Sequence, residues 1–362
     1  MINPEKRAEL LRPRMMKEGK YLIARIKGTG QDPRHVGTFF RYYDYIDRET
    51  EFGNRWMDAT RKGRWSPEFI GLSPDFMDKP LKEVKKLEFQ NPPYTAAFAG
   101  GKKDPKDYNR VFVAQASGCT YACNFCYVPA KENAANPLCG NYFSSKEIVE
   151  AFNSARKKSR EAINVLRVTG GEILSTIPEM VIDVYRELEK GGESYLWIDT
   201  NLSTVNYMKE LESDLKNILR RKNVGIVGCF KGVSKEDFSK ITGASPEYYK
   251  NQFESAELLL KWKTDLYLYL PALVYGNRVE SKLNGFMKKL QGLKKNLPLR
   301  VEMLDIRTDM GKAAENLRLA QAAGRPMPSA DQRLVFDAWY NKLLPKYYSA
   351  AMLNKFCCEV PL

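Results

Sequence analysis

Cys119-Thr120-Tyr121-Ala122-Cys123-Asn124-Phe125-Cys126 is the stretch that decides how this chain is read. It comes straight after an apolar β-type run, Arg110–Ala114, and Gly118 permits a tight turn out of that run. Three thiols on so short a loop can converge on one inorganic centre, because soft sulfur ligands suit iron–sulfur clusters or zinc. Three protein ligands leave a fourth coordination position open, as reactive rather than structural centres do. The structural alternative is a four-cysteine zinc knot closed by Cys139.

Downstream, a second apolar run, Val165–Thr169, ends in Gly170-Gly171-Glu172. Two glycines there let backbone approach a ligand closely, and Glu172 offers a carboxylate to an ammonium group. Further strand candidates follow at Tyr195–Asp199, Gly225–Phe230, Leu266–Leu273 and Leu299–Ile306, alternating with amphipathic segments of helical length. Ser144-x-x-Glu147 is a capping box ahead of Ile148, Val149 and Phe152. Ser245-Pro246 reads as an N-cap and first-turn proline opening a helix over Tyr248–Trp262. Leu283, Phe286, Met287, Leu290 and Leu293 trace one helical face, and Leu334–Phe356 reads as a closing helix. Six β-α units imply a parallel sheet, curled or doubly wound, with ligands at the C-terminal ends of its strands. Both motifs are therefore expected at the same sheet edge.

The chain has 362 residues, 43% hydrophobic and 28% charged, which excludes a disordered, collagen-like or coiled-coil protein. No apolar run reaches the roughly 20 residues of a membrane helix. The first residues lack a signal peptide's apolar centre, so an intracellular, cytoplasmic protein without a membrane partner is expected. Seven cysteines, an odd number, do not suggest a disulfide framework. A single histidine, His35, excludes any site with two histidine ligands and argues against Ser-His-Asp or Cys-His catalysis. Lysine and arginine number 58 against 44 acidic residues, a net charge of +14 spread along the chain. Such a field could draw in RNA or another polyanion, and it equally describes a lysine-rich solvated surface.

CxxxCxxC after the first strand with Gly-Gly-Glu after the second resembles the radical S-adenosylmethionine (SAM) superfamily, over roughly residues 108–312. The resemblance implies an α/β fold, a partial (β/α)6 TIM-like barrel. A long N-terminal extension (1–107) would precede the core (108–312), and a C-terminal helical segment (313–362) would follow it. It implies that Cys119, Cys123 and Cys126 are the metal ligands of a 4Fe-4S cluster and thereby catalytic. Phe125 would pack on the adenine of SAM, and Gly170, Gly171 and Glu172 would take its ammonium. One electron would then convert SAM to methionine and a 5′-deoxyadenosyl radical that abstracts hydrogen from a substrate. The implied electron donor is a flavodoxin or ferredoxin.

Within that superfamily, Phe230–Phe238 and Ile241-Thr242-Gly243 resemble the stretch after strand four of glycyl-radical-enzyme activases. There Lys231 would approach the SAM carboxylate, although Cys229 stands where activases carry an aspartate. Asp199 and Asn201 fall in the segment near the SAM ribose, and Arg307 falls where activases place a ribose-contacting histidine. Three functional classes follow: an activase or maturase (an oxidoreductase) acting on a protein or peptide, a radical SAM enzyme modifying RNA or another polyanion, and a non-enzymatic zinc-binding module. Residues 1–107 are expected to carry the substrate contacts. Cys139, Cys229, Cys357 and Cys358 could support a second cluster, or simply be buried thiols. Arg61-Lys62-Gly63-Arg64-Trp65 could stack a base or lie in solvent.

Overall fold

The computed structural model describes residues 1–25, 39–44, 110–159, 163–192, 194–304, 306, 311–353 and 360–362. His35, residues 61–65, Arg307, Cys357 and Cys358 lie outside the described residues.

The strands are β1 (Met16–Lys17), β2 (Lys20–Ala24), β3 (Phe40–Asp44), β4 (Arg110–Ala116) and β5 (Gly140–Ser144). They continue with β6 (Ile163–Gly170), β7 (Tyr195–Thr200), β8 (Val224–Cys229), β9 (Leu266–Pro271) and β10 (Val301–Leu304). Strands β4, β6, β7, β8, β9 and β10 pair in parallel in that order, so the six strands expected from the sequence form one sheet. Among the described residues the sheet does not close, and β1, β2, β3 and β5 add an antiparallel flank beside β4. The architecture is α/β, a partial barrel.

Successive strand side chains point to opposite faces. Leu166, Val168, Leu196, Ile198, Ile226, Leu268 and Leu270 face outward into the main core with Ile148, Val181, Leu215, Leu259 and Phe286 from the helices. The alternate set, Val111, Val113, Val165, Tyr195, Trp197, Val227, Tyr267 and Tyr269, forms a second cluster on the other face. That face is unusually aromatic, and Arg167 lies across the Trp197 ring at 4.1 Å. Parallel strands buried on both faces account for the near-continuous apolar runs in the sequence.

The helix over Ser145–Lys158 starts as its sequence dictates, with Ser144 Oγ accepting from the Glu147 N–H (3.2 Å) and Glu147 Oε2 from the Ser144 N–H (2.7 Å). Ser245 holds the N-cap position ahead of Pro246 as expected, but the turn it opens is not α-helical. Pro246–Tyr248 is a turn of 3-10 helix before the α-helix Tyr249–Lys261, and the Ser245 hydroxyl makes no capping bond. The backbone there is held by Ile2, whose carbonyl accepts from Ser245 N and whose N–H donates to Gly243 O (2.9 Å). The closing helix is likewise interrupted: α-helix Gln332–Asp337 passes into a π-turn, Ala338–Leu343, and then Leu344–Tyr347. Asp331 caps it, its carboxylate accepting from Arg333 N.

Residues 1–25, grouped by sequence with a separate extension, are built into the sheet. The helix Pro4–Met15 leads into β2, which pairs with β5 over five residues and meets β4 through Ile23 and Ala116. Tyr21, Leu22, Ile23 and Ala24 are fully buried. Only that four-residue apolar run marks the strand, and charged helix around it hides the signal.

After β8, the helix Lys235–Thr242 is capped by Ser234 and ends on Gly243 in the left-handed region (φ 73°). Its Asp237 is fully buried and accepts from Tyr275 N (3.0 Å) and Lys282 Nζ (2.9 Å). Removing its carboxylate leaves the buried Tyr275 N–H without its acceptor and Lys282 with only the longer contact to Glu236 (3.6 Å). Asp237→Ala should therefore cost about 3–5 kcal/mol. Glu257→Ala, which breaks an exposed pair with Lys261, should cost under about 1 kcal/mol. Urea unfolding midpoints of the two variants measure the difference.

Candidate functional site

The cysteine loop leaves the C-terminal end of β4 and the Gly-Gly-Glu turn leaves the C-terminal end of its neighbour β6. Backbone hydrogen bonds stitch the two together: Gly171 N donates to Ala116 O (2.8 Å) and Glu172 N to Gly118 O (2.7 Å). No side chain fits between them. A Cβ on Gly171 would lie 1.7 Å from Gly118 O, and Gly170 holds φ at 103° with Ala116 O 2.6 Å from where a Cβ would be. From beneath, Met15 packs so closely that a Cβ on Gly118 would meet its sulfur at 2.5 Å.

The loop's outer side is tied down as well. Ala122 N and Asn124 N donate to Thr242 O and Ile241 O, both at 3.0 Å, at the end of the helix after β8. Arg325 donates to Ala122 O (2.8 Å), Lys240 O (2.9 Å) and Ile241 O (2.7 Å), so it clamps the loop to that same helix end. Asn316 donates to Cys126 O. Nothing in the sequence singled out Arg325 or Asn316, because their role arises only when distant segments meet.

All three cysteines are partly buried free thiols. Burial, then the neighbouring Cys123 and Cys126, push the Cys119 thiol up to about 12. Burial pushes Cys123 up to about 11, against the pull of Lys231. Cys119 and Cys123 are therefore neutral thiols until a cation offsets their charge, and metal binding there would release protons. Donors already point at the sulfurs: Asn201 Nδ2 at Cys119 Sγ, and Asn133 Nδ2 and Val128 N at Cys126 Sγ, each at 3.4 Å.

Glu172 is fully buried, and its carboxylate accepts three hydrogen bonds within the protein. Oε1 accepts from Ser175 N (3.0 Å) and Thr200 Oγ1 (2.7 Å), and Oε2 from Asn201 N. Burial raises its pKa even against these donors. The residue fixes the turn after β7 to the turn after β6. Leu202 there holds a positive φ of 57°, and Gln252, a fully buried side chain, bridges Asn201 O (2.8 Å), Cys229 O (3.1 Å) and Lys231 N (3.1 Å). Gln252 thus joins the ends of β7 and β8, a role that its place in an ordinary helical pattern conceals.

The remaining sequence candidates converge on this edge. Lys231 Nζ lies 5.7 Å from the Phe125 ring centroid. Burial pulls the lysine pKa down, but Cys229, Cys123, Cys119 and Cys126 outweigh it and raise the value. Phe125 packs beside Ile241, Leu273, Tyr275 and Ile306. Asp199 accepts from Arg167 Nε (2.9 Å), Arg167 Nη2 (2.6 Å) and Thr169 Oγ1, while its Oδ1 has no hydrogen-bond partner among the described residues. Cys229 lies at the end of β8 against the aromatic face, its thiol pushed up to about 11 by burial. Cys139 is buried in the turn Pro137–Cys139, its carbonyl accepting from Arg25 N (2.8 Å).

Among the described residues, no group of three or more His, Cys, Asp or Glu side chains is arranged to hold a metal ion. The donor set nonetheless fits a thiolate-bound iron–sulfur cluster: three thiols on one loop, N–H donors aimed at two of the sulfurs, and the Lys231 and Arg325 charges acting on the third.

Residues 109–249, less than half of the chain, match the family model described as a 4Fe-4S single cluster domain. No curated protein matches the chain. Among solved structures the chain is similar to a polyhistidine-tagged anSMEcpe with bound AdoMet, at 15% identity and a TM-score of 0.36, covering 58% of each chain. It is also similar to Streptococcus suis SuiB bound to S-adenosylmethionine (15% identity, TM-score 0.37, covering 59% of this chain and 46% of that one). A third is native anSMEcpe with bound AdoMet and Cp18Cys peptide (12%, 0.39, 60% and 61%). The chain thus spans less than two thirds of the length of each. Among the described residues no helix is long and apolar enough to cross a membrane.

Gly171→Ala should prevent the two loops from closing. Its expected outcome is a chain that takes up far less iron and sulfide than the parent on anaerobic reconstitution. Gly192→Ala, at a positive-φ glycine with open space around it, should cost only the strain of its backbone and leave iron uptake unchanged.

Proposed function

We propose that this chain is a radical SAM enzyme, with Cys119, Cys123 and Cys126 holding a 4Fe-4S cluster and SAM seated along the edge from Gly170 to Lys231. The observation that carries this reading is the stitching of the cysteine loop to the Gly-Gly-Glu turn at the C-terminal ends of adjacent parallel strands. When bound, the cluster and SAM would supply a one-electron cleavage that yields a 5′-deoxyadenosyl radical able to abstract hydrogen.

The chain's own residues then divide the work of binding and orientation. Gly170 and Gly171 bring bare backbone to the ammonium of SAM; the Glu172 carboxylate is already committed to Ser175, Thr200 and Asn201 and so holds the edge in shape. Lys231 presents its charge to the SAM carboxylate, and Phe125 offers a ring face beside it for the adenine. The spare Asp199 oxygen and Asn201 face the ribose. Arg307 is assigned to the ribose from sequence alone. The aromatic face of Tyr195, Trp197, Tyr267 and Tyr269 lies beyond, where it helps exclude water from the reacting centre.

The substrate we propose is a protein or peptide, with a flavodoxin or ferredoxin as electron donor. The capped helix Lys235–Thr242 after β8 supports the activase-like reading, because it also buttresses the cysteine loop. The net charge of +14 favours a second reading, modification of RNA or another polyanion.

The test is anaerobic reconstitution, reduction, addition of SAM and mass-spectrometric quantitation of 5′-deoxyadenosine. The parent should form it and Cys123→Ala should not. A chain with bound zinc and no sulfide would overturn the proposal in favour of a zinc-binding module. Substrate class is read from the same assay: a peptide should raise turnover at 200 mM salt as at 50 mM, whereas stimulation by RNA should collapse over that range, since log affinity for a polyanion falls roughly linearly with log salt.

A further inference from the structure

The two side-chain amides that reach the cysteine loop do more than brace it. Asn133 ends the short helix Ala130–Asn133 and is buried; its Nδ2 lies 3.4 Å from Cys126 Sγ and 3.2 Å from Val128 O. Its backbone carbonyl accepts from Cys119 N at 2.9 Å, so one residue grips both ends of the loop. Asn201 is also buried, with Nδ2 3.4 Å from Cys119 Sγ and 3.1 Å from Thr120 Oγ1. Its position is fixed from both sides, by Glu172 on its N–H and Gln252 on its carbonyl. The outer two sulfurs thus each receive a rigid neutral dipole, while Cys123 faces the charges of Lys231 and Arg325.

We propose that Asn133 and Asn201 are positioning residues that set the reduction potential of the centre held by Cys119, Cys123 and Cys126, by donating N–H···S hydrogen bonds to its outer sulfurs. The inference rests on the cluster assignment made above and adds the residues that tune it. Reduction of a bound cluster by a one-electron donor would add one negative charge, part of which would fall on the sulfurs of Cys119, Cys123 and Cys126. An N–H dipole aimed at sulfur stabilises the reduced form more than the oxidised one and so raises the potential. Burial keeps water from screening either dipole.

The loop contains its own control. Asn124 lies between Cys123 and Cys126 and is equally buried, but its Nδ2 donates to Tyr275 Oη (3.0 Å) and not to sulfur. Asn124→Leu therefore disturbs loop packing without removing a sulfur hydrogen bond.

The parent, Asn133→Leu, Asn201→Leu, the double variant and Asn124→Leu are reconstituted anaerobically and assayed for iron and sulfide, then titrated with dithionite under EPR. Each amide variant should become about threefold harder to reduce, a shift of about −28 mV at 59 mV per tenfold for one electron. The double variant should show roughly the sum, and Asn124→Leu should match the parent. Asn133→Ala and Asn201→Ala remove the donor without adding charge, replace the leucine variants should those fail to hold iron, and should shift the same way. Amide variants titrating with the parent, or Asn124→Leu shifting as far as they do, would overturn the proposal while leaving the cluster in place. A parent that binds no iron and sulfide would overturn the cluster assignment, and this inference with it.

Discussion

Two backbone hydrogen bonds, Gly171 N to Ala116 O and Glu172 N to Gly118 O, are the constraint on which the site depends. They fuse the loops that leave β4 and β6 into one surface. The fusion is possible only because Gly171 has no side chain and Gly170 takes a backbone conformation that other residues avoid. Met15, from the first helix, seals the joint from below, and the end of the helix Lys235–Thr242 holds its outer edge. Elements from both ends of the described chain thus converge on eight residues of loop.

The turn after β7 is set by the same logic. Glu172 accepts from Ser175, Thr200 and Asn201 inside the protein and so works as a strut between the turns after β6 and β7. Gln252 repeats the device one strand further on. The consequence is a rim of backbone and short side chains running from β4 to β8, fixed before any ligand arrives. Preorganised donors of this kind require little rearrangement on binding, which is what a site for charged groups demands.

The sheet face behind the rim has a different character. Aromatic rings dominate it, Arg167 is held by Asp199 and stacked on Trp197, and Cys229 closes its upper end. Parallel strands put their C-terminal ends on one edge, so the rim and the upper end of this face lie side by side.

Local pattern was enough to read six strands, because apolar runs of strand length bounded by turn residues are written in the chain itself. The same holds for the capping box at Ser144 and the spacing of the three cysteines. Each depends on residues a few positions apart. Tertiary structure decided what depends on residues far apart. It built residues 1–25 into the sheet, left the Ser245 hydroxyl without a capping bond, broke the last helix at Ala338, and buried Glu172. It also made Gln252, Arg325, Asn316 and Asn133 part of the site. A hydrogen bond between Arg325 and Ala122 spans 203 residues, and no local periodicity records it. The sequence carries the donors; only packing chooses their partners, because a buried polar group must find one wherever the fold puts it.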